Sequence, residues 1–501
     1  MSSNDRTVAA DPGGASATDR IEPYVWKIAG VVILGMTMSI LDTTIVNVAL
    51  DTLRHDLETT LAQIQWVVTG YMLALAAVIP LTGWAARRFG AKRVYLGSIA
   101  LFTIGSALCG LAESSTSLIF FRVLQGVGGG MIMPIAQMIM AEVAGPKRMG
   151  RVMGIVVMPA MLAPILGPVV GGLILQNLHW SWIFFVNVPI GIVAGALGWR
   201  MLPESDLGEP GKLDWVGLLL LAVSMPLVIY GLSEIAIKES FTAPVVVWPI
   251  VGGLMLGAIF AWHALRVERP LLDVRLYANR IFAAASLTTF GLGAALFGAM
   301  ILVPLYYQEV RGESVIVTGL LTGPQGLGML LVAPWIARMT DRFGGGRVAF
   351  VGVSVLTLSS LPLAFIGADT SIAFISVMLL VRGVGIGLSF IPVTTVAFAS
   401  LRTDQLSDAT PQMNVLQRLG GAIGTAVLAV VLQRASAGAH STAELAGAFG
   451  TAYWWAVGIC AASIIPVLVL LRAEGPRETP PTPAEAKEIE IAEEFVEPLG
   501  A

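Results

Sequence analysis

Long apolar runs separated by short polar stretches set the pattern of this chain. About 20 mostly apolar residues cross a bilayer as one helix. Fourteen such runs occur, over 25–50, 63–86, 94–112, 116–142, 150–176, 180–202, 213–234, 245–265, 281–309, 315–338, 346–367, 371–400, 410–434 and 448–472. The connections are too short to hold a sizeable soluble domain. Residues 1–22 are polar and lack a signal-peptide pattern, and the first apolar run is too long for a cleaved leader, so it is read as a span. The tail over 473–501 carries prolines and many glutamates and is expected to be disordered.

Composition agrees with a polytopic membrane protein. Of 501 residues, 56% are hydrophobic and 13% charged, against roughly 25% charged in soluble domains. The net charge of −3 says little, and no basic cluster interleaved with aromatics points to nucleic acid. Cys109 and Cys460 both fall in spans, which supports neither a disulfide framework nor a metal site. Charge placement is more informative. With the N-terminus in the cytoplasm, eighteen Lys and Arg fall in inner loops and four in outer loops, as the positive-inside rule requires. That count assigns Arg418 to an inner loop, and it puts both termini inside.

A weak internal repeat divides the chain. Arg88-Phe89-Gly90-Ala91-Lys92-Arg93-Val94 returns as Arg342-Phe343-Gly344-Gly345-Gly346-Arg347-Val348, and Gly126-Val127-Gly128 returns as Gly383-Val384-Gly385. Parallel halves of this kind occur in major facilitator transporters. The string around Pro164, Gly167, Pro168, Gly171 and Gly172 resembles the antiporter signature Gly-Pro-x-x-Gly-Gly of drug:proton antiporters in that superfamily. With fourteen spans the chain resembles the EmrB/QacA branch. The resemblance implies an all-α membrane protein with the major facilitator fold. Two six-helix bundles, 23–203 and 281–472, would flank an inserted helix pair at 213–265.

Asp42 lies inside the first span, in Leu41-Asp42-Thr43-Thr44-Ile45-Val46-Asn47. A charged carboxylate in hydrocarbon is costly, so desolvation favours its neutral form and a nearby cation its charged form. Asp42 lies roughly 12 Å from the outer end of its helix, and Arg122 enters the fourth span to a similar depth. Such a pair suits proton uptake and release, although each residue could also be a static lock or brace. The surrounding strings resemble the family's first- and fourth-helix motifs, which implies proton coupling by Asp42 and Arg122 and a proton-transfer role for Gln125.

The loop of Gly83, Arg87, Arg88, Gly90 and Arg93 resembles the superfamily signature between the second and third helices, but Arg87 stands where that signature has aspartate. The acid's gating role is thereby put in doubt, and the second copy, with Asp341, Arg342 and Arg347, is expected to supply more of the charge pairing. Orientation alone would also explain these cations. The string Trp180-Ser181-Trp182-Ile183-Phe184-Phe185-Val186-Asn187 resembles the fourteen-span family too, and is given only an anchoring role.

Large pockets are mostly apolar with a few polar groups. Trp66, Tyr71, Gln125, Phe297, Tyr306, Asn414 and Gln417 are candidates for a substrate cavity. A single deep carboxylate favours lipophilic monocations or neutral amphiphiles as cargo. The expectation is proton-coupled multidrug efflux by alternating access, with protons as the coupling ion and no bound cofactor. Export of a lipid, siderophore or metabolite is an alternative, and a non-transporting receptor or scaffold is another. No phosphate-cradling loop or metal-ligand cluster suggests an enzyme. The expected setting is the bacterial inner membrane. The expected partners are small lipophilic substrates and membrane lipids, the chain acting as a monomer, with a periplasmic adaptor protein added if the cell is Gram-negative.

Overall fold

The computed structural model describes residues 22–156, 158–204, 211–238, 240–402 and 405–474. The two tails therefore lie outside the described residues. Helices account for the apolar runs in order. In chain order they are α1 Pro23–Asp56, α2 Trp66–Phe89, α3 Ala91–Gly110, α4 Ser115–Val156, α5 Met158–Asn177, α6 Trp182–Met201, α7 Trp215–Lys238 and α8 Pro244–Arg266. They continue with α9 Arg280–Val310, α10 Val315–Phe343, α11 Gly345–Phe365, α12 Ile372–Ala399, α13 Leu406–Ser436 and α14 Thr442–Glu474. Among the described residues, 13 helices are long and apolar enough to cross a membrane. The predicted fifth span corresponds to the end of α4 and to α5, and the side chains over 153–165 lie outside the described residues.

Two sequence-based boundaries change. The backbone of α4 stays helical through the expected loop after 142, as far as Val156. Arg418 sits midway along α13 rather than in a loop. The chain tolerates it there because a long apolar stem can carry the guanidinium along a protein interface.

The repeat seen in the sequence is also a repeat of geometry. Gly90 ends α2 at φ 84°, and Gly344 ends α10 at φ 86°. Only glycine adopts this backbone without strain, so each signature loop turns the same way. The paired glycines match as well. A side chain at Gly126 would strike the α2 backbone at Tyr71, and one at Gly128 would strike α3 at Phe102. Gly383 and Gly385 stand in the same relation to Gln325 on α10 and Leu356 on α11. Small residues let these backbones close up where no hydrophobic drive exists between helices.

The helices α7 and α8 pack on each other, with Ser224 Oγ donating to the carbonyl of Gly253 at 2.7 Å. This pair rests on α2 and α13, where Val228 and Leu232 meet Ala426 and Val430. Its opposite face carries exposed Trp248, Leu254, Met255 and Trp262, as suits a lipid-facing surface. Helix α5 lies along α1 and α10. Gly167 and Gly171 press on Thr44 and Ile45 of α1, and Gly172 on Ile316 of α10. The side chains of Pro164 and Pro168 lie outside the described residues.

Candidate functional site

Four helices converge on one buried carboxylate. Asp42 of α1 is fully buried. Its Oδ2 accepts from Nη1 of Arg122 on α4 at 2.5 Å. Its Oδ1 accepts from Gln125 Nε2 at 2.9 Å and from Asn187 Nδ2 of α6 at 3.0 Å. Arg122 and Gln125 are three apart on one helix and so share a face. Removing two charges from water costs several kcal/mol per ion unless their remaining donors and acceptors are filled. Here Nε and Nη1 of the guanidinium and both carboxylate oxygens have partners. Arg122 Nε donates to the carbonyl of Val67 on α2 at 3.1 Å, and Nη1 also donates to Gln125 Oε1 at 2.8 Å. The guanidinium lies 4.1 Å from the centroid of the Tyr71 ring, a favourable cation–π placement.

This arrangement bears on what the pair can do. Protonation of Asp42 removes one attraction on Arg122 and leaves three, to Val67, Gln125 and Tyr71. The guanidinium is therefore held in place by neutral groups when its acid is discharged. The carboxylate is enclosed by α1, α4 and α6 and has no exposed surface in this conformation.

Asn187 is the residue that sequence reasoning missed. It was placed in a string valued only for anchoring, yet it joins Asp42 to Ser106 of α3, Nδ2 donating to Ser106 Oγ at 3.1 Å. Its own Oδ1 is buried without a hydrogen-bond partner. The available signal was a lone amide amid the apolar start of α6.

The remaining candidates separate. Tyr71 and Gln125 belong to the carboxylate network and line no described cavity. Trp66 is 41% exposed and stacks on Tyr230 of the α7–α8 pair at 5.8 Å. Phe297 is partly exposed and packs over Gly421 of α13. Tyr306 is buried and donates to the carbonyl of Gly367 at 2.7 Å. These three line neither of the cavities described below in this conformation. Asn414 and Gln417 do line a cavity, of about 50 Å³, with Met133, Gln137 and Phe390. Asn414 Nδ2 donates to Gln137 Oε1 at 2.8 Å, which links α13 to α4.

A larger cavity of about 380 Å³ lies between α1, α9, α10 and α12. Asn47, Gln308, Thr318, Thr322 and Gln325 supply its polar wall, and no ionisable residue lines it. Asp42, two residues before Thr44 of that wall, stays off it. In this conformation the cavity offers a cation no carboxylate.

The signature loops hold the other end of the bundle. Arg87 pairs with Asp408 of α13 at 3.1 Å and donates to Ser407 Oγ at 2.5 Å. Gly83 lets α2 touch the backbone carbonyl of Ser407. The departure at Arg87 therefore comes with an acid on the facing helix. In the second copy Arg342 sits over Phe343, and Asp341 has interactions of its own. The amides of Gly345 and Gly346 donate to the Glu474 carboxylate at 3.0 and 2.6 Å. Gly90 sets the turn described above, and among the described residues Arg88, Arg93 and Arg347 form no ion pair.

A repeated helical bundle with a buried ion pair and a cavity between its halves defines a multi-pass membrane transporter. Comparison with known proteins places it more narrowly. The family model described as Major Facilitator Superfamily matches residues 32–425. The chain is similar to the multidrug resistance protein B homolog of Mycobacterium tuberculosis, 38% identical over 424 residues, covering 84% of this chain and 78% of the relative. It is similar to the multidrug export protein EmrB of Escherichia coli, 31% identical over 403 residues, covering 79% and 77%. The solved structure of a double Trp mutant of XylE shares the fold, with TM-score 0.63 at 15% identity over 93% of this chain and 99% of that one. The chain belongs to the major facilitator superfamily, within its EmrB/QacA type.

Proposed function

We propose that this chain is a multidrug efflux transporter that exchanges lipophilic small molecules for protons by alternating access. The efflux role is supported by relatives named for multidrug export. The observation that carries the coupling is the Asp42–Arg122 ion pair, which is sealed from solvent yet supported so that its cation stays in place without the acid. Asp42 takes a proton from the outer side and yields it inside. The halves 23–203 and 281–472 rock about the interface between them, and the α7–α8 pair rides as an insertion. Arg87–Asp408 and Gln137–Asn414 hold the basic end shut while the larger cavity is available at the other. The positive-inside count supports a cytoplasmic basic end, and the reading sets the protein in a bacterial plasma membrane. No cofactor or covalent chemistry enters this cycle.

The test uses inside-out vesicles with an imposed pH gradient and a fluorescent lipophilic substrate. Wild-type protein accumulates it on acidification of the lumen. The variant Asp42→Asn stays folded and loses gradient-driven flux, and wild-type flux through that variant rejects the assignment.

A further inference from the structure

Arg382 of α12 is a buried guanidinium, 1% exposed. Its Nε donates to Ser360 Oγ at 3.2 Å, Nη1 to Gln325 Oε1 at 3.1 Å and Nη2 to the carbonyl of Ala295 at 3.1 Å. All three acceptors are neutral, so its charge is solvated but not cancelled. The N-terminal half differs, because there the buried arginine has Asp42.

The bond to Gln325 fixes the orientation of an amide at the wall of the larger cavity. With Oε1 turned back to Arg382, Nε2 is the end left for the cavity, and no hydrogen bond within the protein occupies it among the described residues. An amide whose oxygen binds a cation is a stronger donor, since hydrogen bonds in a chain polarise one another. The same wall holds Asn47, Gln308, Thr318 and Thr322 among apolar neighbours such as Met300 and Val303, and no carboxylate. Such a surface would hold an apolar body and pair a head group that accepts hydrogen bonds and carries negative charge.

We propose that Gln325, backed by Arg382, forms a head-group subsite that selects amphiphiles bearing a carboxylate or sulfonate. This rests on the efflux reading above and names a cargo class for it, in place of the lipophilic monocation expected from one deep acid.

The test is calorimetric titration of the purified full-length protein with 4-biphenylcarboxylate, 4-biphenylcarboxamide and 4-biphenyltrimethylammonium, at one pH and without a gradient. The carboxylate binds about 10- to 100-fold tighter than the carboxamide, the range of a hydrogen bond to a charged group, and the ammonium binds weakest. Gln325→Leu removes the donor and brings carboxylate and carboxamide within about twofold of each other, a difference too small for such a bond. Should that variant not fold, Gln325→Glu gives Arg382 its own carboxylate and likewise erases the preference. Equal binding of the three probes, tightest binding of the ammonium, no binding of the carboxylate, or a preference that survives Gln325→Glu overturns the proposal. The two readings fail separately. Loss of head-group preference with intact pH-driven flux removes only the subsite, and lost flux with intact preference removes only the coupling.

Discussion

Asn187 and Gln125 donate to the same carboxylate oxygen of Asp42, from two different helices, at 3.0 and 2.9 Å. Both stabilise the charged form of the acid, and neither contributes a charge. In Asn187→Leu one of these donors is lost. Gradient-driven transport is expected to fall about tenfold, the value of one hydrogen bond to a charged group, whereas Asn187→Gln, which keeps an amide donor, should retain more of it. Stopped-flow flux at a single pH compares the two, and equal losses would mean that Asn187 acts only by packing.

Truncating Arg122 to alanine leaves Asp42 without its cation in a dry site. Breaking a buried pair in this way costs about 3–5 kcal/mol. Thermal unfolding in detergent should show the loss for Arg122→Ala. The double variant Asp42→Asn/Arg122→Ala should be less destabilised than the sum of the single changes. Additive losses would mean that the ion pair contributes little to the fold.

The Arg87–Asp408 link predicts a charge-reversal phenotype. Arg87→Asp restores the residue common at that signature position but sets it against Asp408. The basic end then opens more often, by about fivefold for a cost near 1 kcal/mol. Maleimide labelling of Thr394→Cys, a residue of the smaller cavity, reports this opening. Adding Asp408→Arg is expected to return the labelling rate to its starting value.

Gly167 sets how closely α5 lies on α1. A valine there meets Thr44 head-on. Because Thr44 lines the larger cavity two residues after Asp42, spreading the helices disturbs the cavity and the buried acid together. Gly167→Val should fold but lose most transport, whereas Gly97→Val, with open space around it, should transport normally. Equal activity of the two variants counts against tight α1–α5 packing in the cycle.

How legible this was from sequence depended on the kind of interaction. Asp42 and Arg122 stood out because an ionised group in an apolar run demands a partner, and positive-inside bookkeeping put them at one depth. Gln125 came in only through the resemblance of its string to the family's fourth-helix motif. Asn187 did not, because its approach to Asp42 depends on how α6 crosses α1 and α3. Asp408 was hidden for another reason: an acid in the first turn of a helix already has a local explanation in the helix dipole. Trp66, Phe297 and Tyr306 line neither of the two cavities described, since an aromatic side chain in a span does not say whether lipid, protein or cargo covers it. Arg382 was overlooked beside its glycines, although a cation in an apolar run carries the same demand as an acid.

The latch between Arg87 and Asp408 has a consequence for how the protein behaves in different media. Its side chains keep 16% and 18% of their surfaces in contact with solvent, so dissolved ions reach the pair and weaken it. The Asp42–Arg122 pair, sealed at 1% and 0%, is shielded from them. Raising ionic strength therefore loosens the closure at the basic end while sparing the buried pair, and how often that end stands open becomes a property of the surrounding salt.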